Sequence, residues 1–519
     1  MMWGAMNVID LADALHARVG DYPKALVFEG REYSSGELRR MQLRLAGALV
    51  EMGVGRGDRV AVITPNCPEV GITYAATWRI GAVTVPILFL LAQSEIEHIL
   101  GDAEPSVVVT SSEFLGNITS AIAGMANPPR VLLVGDEGAE GAEPMTPLLT
   151  NGPERETVAD MDPDDLAGIN YTGGTTGHPK GVMLTHGGMT AVSNAAMSTG
   201  DYEDGSVGLG ALPLAHGYGI LTQLLGMRVA GTGVLMRWFE PGEALRLIQE
   251  HQVNLFAAVP TMLVYLLNHP DLDRYDVSSL ERVGCGAAPC PVELLEEFER
   301  RFGCTIYEGY GLTESTVVCT TQRRDRPKVV GSVGVALPGF TVKILDDDHN
   351  EIPVGELGEI CVSGPNVMKG YYRMPDVTAE TVRDGWLHTG DIGRMDADGN
   401  LYIVDRKKDM IIRGGLNVYP RDIEEVLFEH PAVAEAAVIG RPDPRYGEEV
   451  IAFVVLRRDA KATADDILTF CRERLAKYKA PKEVHFLDSL PRSGVGKVVR
   501  RELRDRLAEM APAQGAGIG

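Results

Sequence analysis

Short apolar strands and amphipathic helices take turns along this chain twice, over residues 33–110 and again over 166–310. A chain patterned this way buries both sets of apolar faces by laying helices over mainly parallel, doubly wound sheets. In the first stretch, SSGELRRMQLRLAGALVEMG carries a capping box, Ser34 with Glu37, ahead of an amphipathic helix. DRVAVIT then reads as a buried strand, and a second box, Ser94 with Glu97, opens the helix before the strand SVVVT. In the second stretch LAGINY, LGALPL, TGVLM, NLFAAV, ERVGC and TIYEG read as strands with helical segments between most of them. PVELLEEFERRF places Pro291 in the first turn of a helix, where its missing N–H costs nothing.

After residue 330 the pattern changes. Gly, Asp and Pro turns punctuate short strands, as in VKILDDDHNEIPVGELGEICVSG and MDADGNLYIVD, which predicts a β-rich subdomain over about 331–405. The charged stretch DRKKD (405–409) follows. Beyond it lies a compact α+β pattern: helix PRDIEEVLFEH, strands AEAAVIG and EEVIAFVVL, helix ADDILTFCRERLA, strand EVHFL, helix RRELRDRLAEM. The 519 residues are too many for one core. We therefore expect a large N-terminal domain over 1–405, a hinge at 406–410 and a small domain over 411–519, with the tail APAQGAGIG frayed.

A formal net charge of -23 argues against a nucleic-acid or anionic-membrane surface as the main partner. The seven cysteines form no C-x-x-C pair, so neither a disulfide framework nor a zinc knuckle is suggested. MMWGAMNVID lacks a signal-peptide pattern, and the longest apolar run, GAVTVPILFLLA (81–92), is too short to span a bilayer. These features predict a cytoplasmic protein without a transmembrane segment.

The stretch YTGGTTGHPKGV (171–182) has the chemistry of an anion loop. Glycines allow successive N–H groups to converge on an anion, threonine hydroxyls add donors, and Lys180 supplies a full positive charge. It is no Walker loop, because His178 and Pro179 separate Gly177 from Lys180. No G-x-G-x-x-G occurs either, so a dinucleotide fold of the Rossmann kind is unsupported.

Four further motifs follow in order: YGLTE (310–314), GWLHTGDIG (385–393), DRKKDMIIRGG (405–415) and PRSGVGK (491–497). Together with the loop they closely resemble the signatures of the adenylate-forming superfamily, on its acyl-CoA synthetase branch, and the resemblance covers nearly the whole chain. It implies a large adenylation domain of doubly wound sheets with a β-rich subdomain and a small mobile α+β lid. The implied reaction joins a carboxylate to the α-phosphate of ATP, with Mg²⁺, and releases pyrophosphate. The acyl group then passes to CoA with release of AMP.

The same resemblance assigns Thr172, Gly173, Gly174, Thr175, Thr176, Gly177 and Lys180 to the β and γ phosphates. It gives Thr313 a phosphate contact and Glu314 the Mg²⁺, a hard cation that prefers oxygen ligands. Tyr310 and Gly311 lie at the adenine beside the backbone of Gly286, Ala287 and Ala288. Asp391 accepts the ribose hydroxyls, and Arg406 meets ribose or phosphate. Lys408 marks the hinge, and Lys497 drives adenylation, one fixed cation near both reacting anions. His216 and Tyr218, in LPLAHGYG (212–219), line or gate the carboxylate site, with small residues such as Gly286 on the opposite wall. Gly414 and Gly415 let backbone approach the pantetheine arm of CoA.

The acid is read as a small-to-medium carboxylic acid, open between an aryl ring and a short or medium alkyl chain. The acceptor is read as CoA, with an amine or a carrier-protein thiol as the alternative; a non-catalytic nucleotide-binding homologue is the third reading. A homodimer is compatible with the sequence. ILFLLAQSEI (87–96) is more apolar than the resemblance leads one to expect.

Overall fold

The structure, a computed structural model, describes residues 7–173, 179–200, 202–346, 348–458, 460–492 and 498–510. The chain forms two compact units. One holds Met1–Ala287, Phe298–Lys343 and Cys361–Thr389; the other holds Ala288–Glu297, Ile344–Ile360 and Gly390–Gly519.

Two large sheets build the first unit. An eight-stranded sheet runs in the order Gly370–Tyr371, Lys180–Thr185, Leu166–Thr172, Val83–Pro86, Arg59–Ile63, Val107–Thr110, Arg130–Leu133, Glu143–Pro144. Its centre is parallel, as the alternating pattern predicts, but Lys180–Thr185 lies antiparallel to both of its neighbours. A nine-stranded sheet has a parallel centre of Thr305–Tyr310, Arg282–Cys285, Leu255–Ala258, Val207–Gly210, Thr232–Leu235 and Leu26–Phe28. Antiparallel strands close each edge. Four-residue runs such as VVVT (107–110) are buried on both faces, which explains why they read as continuous apolar segments. Trp78 is fully buried, and its indole N–H donates to the Ala167 carbonyl at 2.9 Å, so the largest core side chain leaves no orphaned donor.

In the second unit Gly447–Leu456 is central, paired antiparallel with Val433–Asp443 and parallel with Glu483–Phe486. Alternate residues feed two cores. Val438, Val450 and Val454 pack with Ile423 and Ile467 of the helices Pro420–Phe428 and Ala464–Arg474. Ala437, Ile451 and Phe453 face Leu503 and Leu507 of the helix Arg500–Met510. Thr341–Leu345, Gly358–Ser363, Trp386–Met395, Val382–Arg383 and Leu401–Arg406 form a separate five-stranded sheet, with residues in both units, while Gly370–Tyr371 joins the eight-stranded sheet.

Local readings needed adjustment in three places. Ser34 caps its helix by accepting the Glu37 N–H, but the Glu37 carboxylate turns to Arg31 instead of back to Ser34. The helix read as opening at Ser94 starts at Gln93: Glu95 accepts the Ala92 N–H, and Glu97 accepts from the Gln93 side chain. LGALPL is strand only to Gly210, because Pro213 cannot donate to a ladder. All seven cysteines are buried free thiols. Among the described residues no helix is long and apolar enough to cross a membrane.

The helix Val8–Val19 is tied to the unit through His186, whose Nδ1 accepts the Val8 N–H at 3.3 Å. Burial lowers the His186 pKa from 6.5 to about 4. The folded state therefore holds His186 neutral while the unfolded chain takes up a proton below pH 6.5. Stability from this source is complete above that pH and is lost as pH falls toward 4, by roughly 3 kcal/mol in all. Urea unfolding of the wild type at stepped pH should show this slope, and His186→Gln should flatten it.

Candidate active site

The glycine-threonine loop joins two antiparallel strands. Leu166–Thr172 pairs with Lys180–Thr185, with Thr172 opposite Lys180 and Tyr171 opposite Gly181, so residues 173–179 connect the arms of a hairpin. Gly174, Thr175, Thr176 and Gly177 lie outside the described residues. At the return, the Pro179 carbonyl lies 3.2 Å from Nε2 of His98, on the helix Gln93–Ala103.

Lys180 points its ammonium at the face of Tyr371, 4.3 Å from the ring centroid. The Tyr371 hydroxyl donates to Oε1 of Glu314 at 2.8 Å. Burial, and then the Glu314 charge, push the Tyr371 phenol pKa up, so it stays protonated and remains a donor. Lys180 and Glu314 are thus brought to opposite parts of one buried side chain.

Glu314 sits in the short 3-10 turn Thr313–Ser315, which follows the strand Thr305–Tyr310. The chain doubles back here so tightly that a Cβ on Gly311 would lie 2.2 Å from the Val317 carbonyl oxygen. Only glycine fits. Thr316 and Val317 have φ of 50° and 81°, a left-handed conformation that is costly for β-branched residues. Asn366 clamps the turn: its carbonyl accepts from the Thr316 hydroxyl at 2.7 Å, and its amide donates to the Ser315 carbonyl at 3.2 Å.

His216 caps the helix Gly217–Gly226, its Nδ1 accepting the Tyr218 N–H at 3.2 Å. That bond needs an unprotonated Nδ1. A Cβ on Gly217 would lie 3.1 Å from a Val317 methyl and 4.0 Å from the Thr313 hydroxyl, so His216 and Thr313 belong to adjoining segments. Tyr218 runs along the strand Arg282–Cys285: a Cβ on Gly284 would lie 2.7 Å from its hydroxyl, and one on Gly286 3.8 Å from its ring. The small residues at 284 and 286 therefore make room for Tyr218 itself. Burial raises its phenol pKa. Ala287 follows with φ of 67°, turning the backbone beside Gly286. Tyr310 is buried at the end of its strand.

In the second unit, Asp391 and Arg406 face each other across paired strands. Arg406 Nε donates to Asp391 Oδ1 at 3.0 Å, with the carboxylate buried and the guanidinium half exposed. Asp405 accepts the N–H groups of Arg406 at 2.7 Å and Arg421 at 3.0 Å, which fixes the start of the charged stretch. Lys408 is exposed. Gly414 and Gly415, with φ of 61° and 80°, form the two-residue turn of a hairpin between Ile411–Arg413 and Leu416–Val418. Ala288 lies at the start of a separate segment of this unit. Lys497 lies outside the described residues. Its flanks are pinned by Arg492 to Glu435 and Arg500 to Glu424, each at 2.8 Å.

Asn66, Asn366 and Tyr371 carry this geometry, and none belongs to a motif read from the sequence. Asn66 is buried beyond the strand Arg59–Ile63. Its amide donates to the carbonyls of Leu212 and Met236 at 2.9 and 3.0 Å, and its oxygen accepts the Leu214 N–H at 2.8 Å. One carboxamide thus joins the carboxyl ends of strands in both large sheets, where open α/β sheets place their ligands.

A doubly wound unit with a lysine at the end of a hairpin, an acidic turn and a separate carboxylate–guanidinium pair are the parts that the sequence resemblance implies for a nucleotide-activating enzyme. Family comparison agrees: the AMP-binding enzyme family matches residues 15–372, and the AMP-binding enzyme C-terminal domain matches 422–497. The chain belongs to the AMP-binding enzyme family. It is 37% identical over 516 residues to a long-chain-fatty-acid–CoA ligase of Bacillus subtilis (strain 168), covering 93% of this chain and 92% of the relative. It is 38% identical over 492 residues to a feruloyl-CoA synthase of Amycolatopsis sp, covering 94% and 97%. Among solved structures, ATP-bound MatB from Rhodopseudomonas palustris aligns with TM-score 0.88 at 33% identity, over 97% of this chain and 100% of that one. The amide bond synthetase McbA from Marinactinospora thermotolerans aligns with TM-score 0.86 at 30% identity, over 96% and 99%.

Replacing Asn66 by Ala orphans two carbonyls and one N–H in a buried setting. The expected cost is about 2–4 kcal/mol, read as a lowered first melting transition in calorimetry. Asn66→Asp, which keeps the acceptor but loses both donors, should be no better.

Proposed function

We propose that this protein is an AMP-forming acid–CoA ligase. The observation that carries the reading is the Lys180–Tyr371–Glu314 arrangement beside the Thr313 turn, a cation and a carboxylate held apart at the mouth of a glycine-threonine hairpin. Joining a carboxylate to ATP brings two anions together, so the site must supply fixed positive charge and donors for the phosphoryl group. Lys180 and the loop donors bind the departing pyrophosphate. Thr313 hydrogen-bonds phosphate, and Tyr310 with the Gly286–Ala287 backbone holds adenine. Asp391 takes the ribose hydroxyls, with Arg406 aiming that carboxylate.

The donor set fits Mg²⁺: Glu314 offers carboxylate oxygens and Thr313 a hydroxyl, and this cation binds through one or two carboxylates plus substrate phosphates. When bound it neutralises charge on the polyphosphate. Lys497 orients the incoming carboxylate against the α-phosphorus, and pyrophosphate leaves. The CoA thiolate then attacks the acyl carbon to form the C–S bond, the bond from that carbon to the AMP phosphate oxygen breaks, and AMP leaves with its electron pair. The segment after the hinge at Lys408, with Gly414 and Gly415 in its tight turn, receives the pantetheine arm. The buried free thiols suit a reducing cytoplasm.

A panel of acids from acetate to palmitate, with benzoate and ferulate, tests the reading by pyrophosphate release and product mass. Acid-dependent release with thioester formed only when CoA is present is the expected result. AMP release with an amide formed from supplied amine, and no thioester, overturns the acceptor. For the same reaction, Lys497→Ala should slow adenylation on the order of 10²–10³-fold while leaving thioester formation from supplied acyl-adenylate. Single-turnover assays of the two half-reactions separate the steps.

A further inference from the structure

Tyr371 is part of none of the five motifs, yet it touches two residues that the proposed reading gives to opposite tasks. Its backbone is fixed on both sides. Tyr371 pairs with Val182 in the edge strand, and its N–H donates to the Thr378 hydroxyl at 2.8 Å. Its neighbour Tyr372 donates to the Gly181 carbonyl at 2.7 Å. In an antiparallel pair the residue opposite Val182 lies diagonal to Lys180 on the same face, within reach of a long side chain over a ring. The register therefore sets the Lys180 ammonium on the Tyr371 face at 4.3 Å.

The other contact is equally constrained. Met368 donates its N–H to the Glu314 carbonyl at 2.8 Å, so the segment 368–371 grips Glu314 by its backbone as well as its carboxylate. A phenol donating to an anion becomes more electron-rich, which strengthens the attraction of its face for a cation. The two contacts reinforce each other.

We propose that Tyr371 is a positioning residue that couples the halves of the phosphate site, seating the Lys180 ammonium on its ring while its hydroxyl aims the Glu314 carboxylate. This rests on the reading of Lys180 as a phosphate ligand and Glu314 as a Mg²⁺ ligand. The ring keeps cation and carboxylate from neutralising each other, so that the lysine is delivered to phosphate and the carboxylate to metal. Tyr371→Phe removes the aiming contact and keeps the seat; Tyr371→Leu removes both.

The test is binding rather than turnover. Mn²⁺, a spin-active substitute for Mg²⁺, is titrated by electron paramagnetic resonance with α,β-methylene-ATP present, and metal-free nucleotide affinity is measured by calorimetry. Tyr371→Phe should weaken Mn²⁺ binding about tenfold and leave metal-free nucleotide affinity within about twofold of wild type. Tyr371→Leu should add a further loss of about threefold in nucleotide affinity. Wild-type Mn²⁺ affinity in Tyr371→Phe, with Glu314→Gln defective, overturns the coupling and leaves the metal assignment standing. Wild-type Mn²⁺ affinity in Glu314→Gln overturns the metal assignment itself, and the coupling with it. A melting curve for Tyr371→Phe that matches wild type shows that a lost affinity is local to the site.

Discussion

The Asn66 carboxamide fixes where the chemistry of the first unit can lie. It spends both amide hydrogens and one oxygen lone pair on backbone beyond the strands Val207–Gly210 and Thr232–Leu235, while itself following Arg59–Ile63. Two sheets that pack only through apolar helices can slide by a side chain's width at small cost, because dispersion is not directional. A buried amide with three partners cannot slide. Its geometry registers the LPLAHGYG segment, and so the cap residue His216, against the eight-stranded sheet that carries Lys180.

The fold was largely legible because its signals are local. Alternating runs with turns between them locate the parallel strands 59–63, 107–110, 255–258 and 282–285 within a residue or two, and the C-terminal α+β pattern matches element by element. The errors fall where a proline or a competing side chain decides: Pro213 ends a strand early, and Glu95 moves a helix start. The antiparallel return of Lys180–Thr185 was not legible, since VMLT reads the same in either direction.

The site was legible only in part, and for a different reason. Glycines, threonines and charged residues recur in ordered motifs, so Lys180, Glu314, Asp391 and Arg406 could be singled out from the sequence, and their assignment to phosphate, metal and ribose is the reading proposed above. Asn66, Asn366 and Tyr371 act through carbonyls, amides and a ring supplied by segments far away in the chain. A lone Asn or Tyr has no sequence signature for such a partner, because the partner is chosen by the fold. Gly414 and Gly415 illustrate the converse: their sequence signal was read toward a ligand, while the hairpin turn alone already requires positive φ at both positions.

Nine non-glycine residues among those described have positive φ, and three of them lie in the segments around 287 and 316–317. Thr316, Val317 and Ala287 occupy the left-handed region without being glycine, and all three adjoin residues read as nucleotide contacts. Two successive β-branched residues there cost about 1–3 kcal/mol each. Against this stand the Val317 N–H to the Leu312 carbonyl at 2.9 Å, the Ser315 hydroxyl accepting the Leu312 N–H at 3.1 Å, and both Asn366 contacts. A relaxed turn would carry Glu314 away from Tyr371 and open the face on which Gly217 packs. Holding the turn in this conformation keeps Thr313 next to the His216 cap and Glu314 at the Tyr371 hydroxyl, so these side chains share one corner. Were Val317 a glycine, the corner would be easier to form and easier to leave, and the proposed task of holding two mutually repelling anions in line would lose more from the second than it gained from the first.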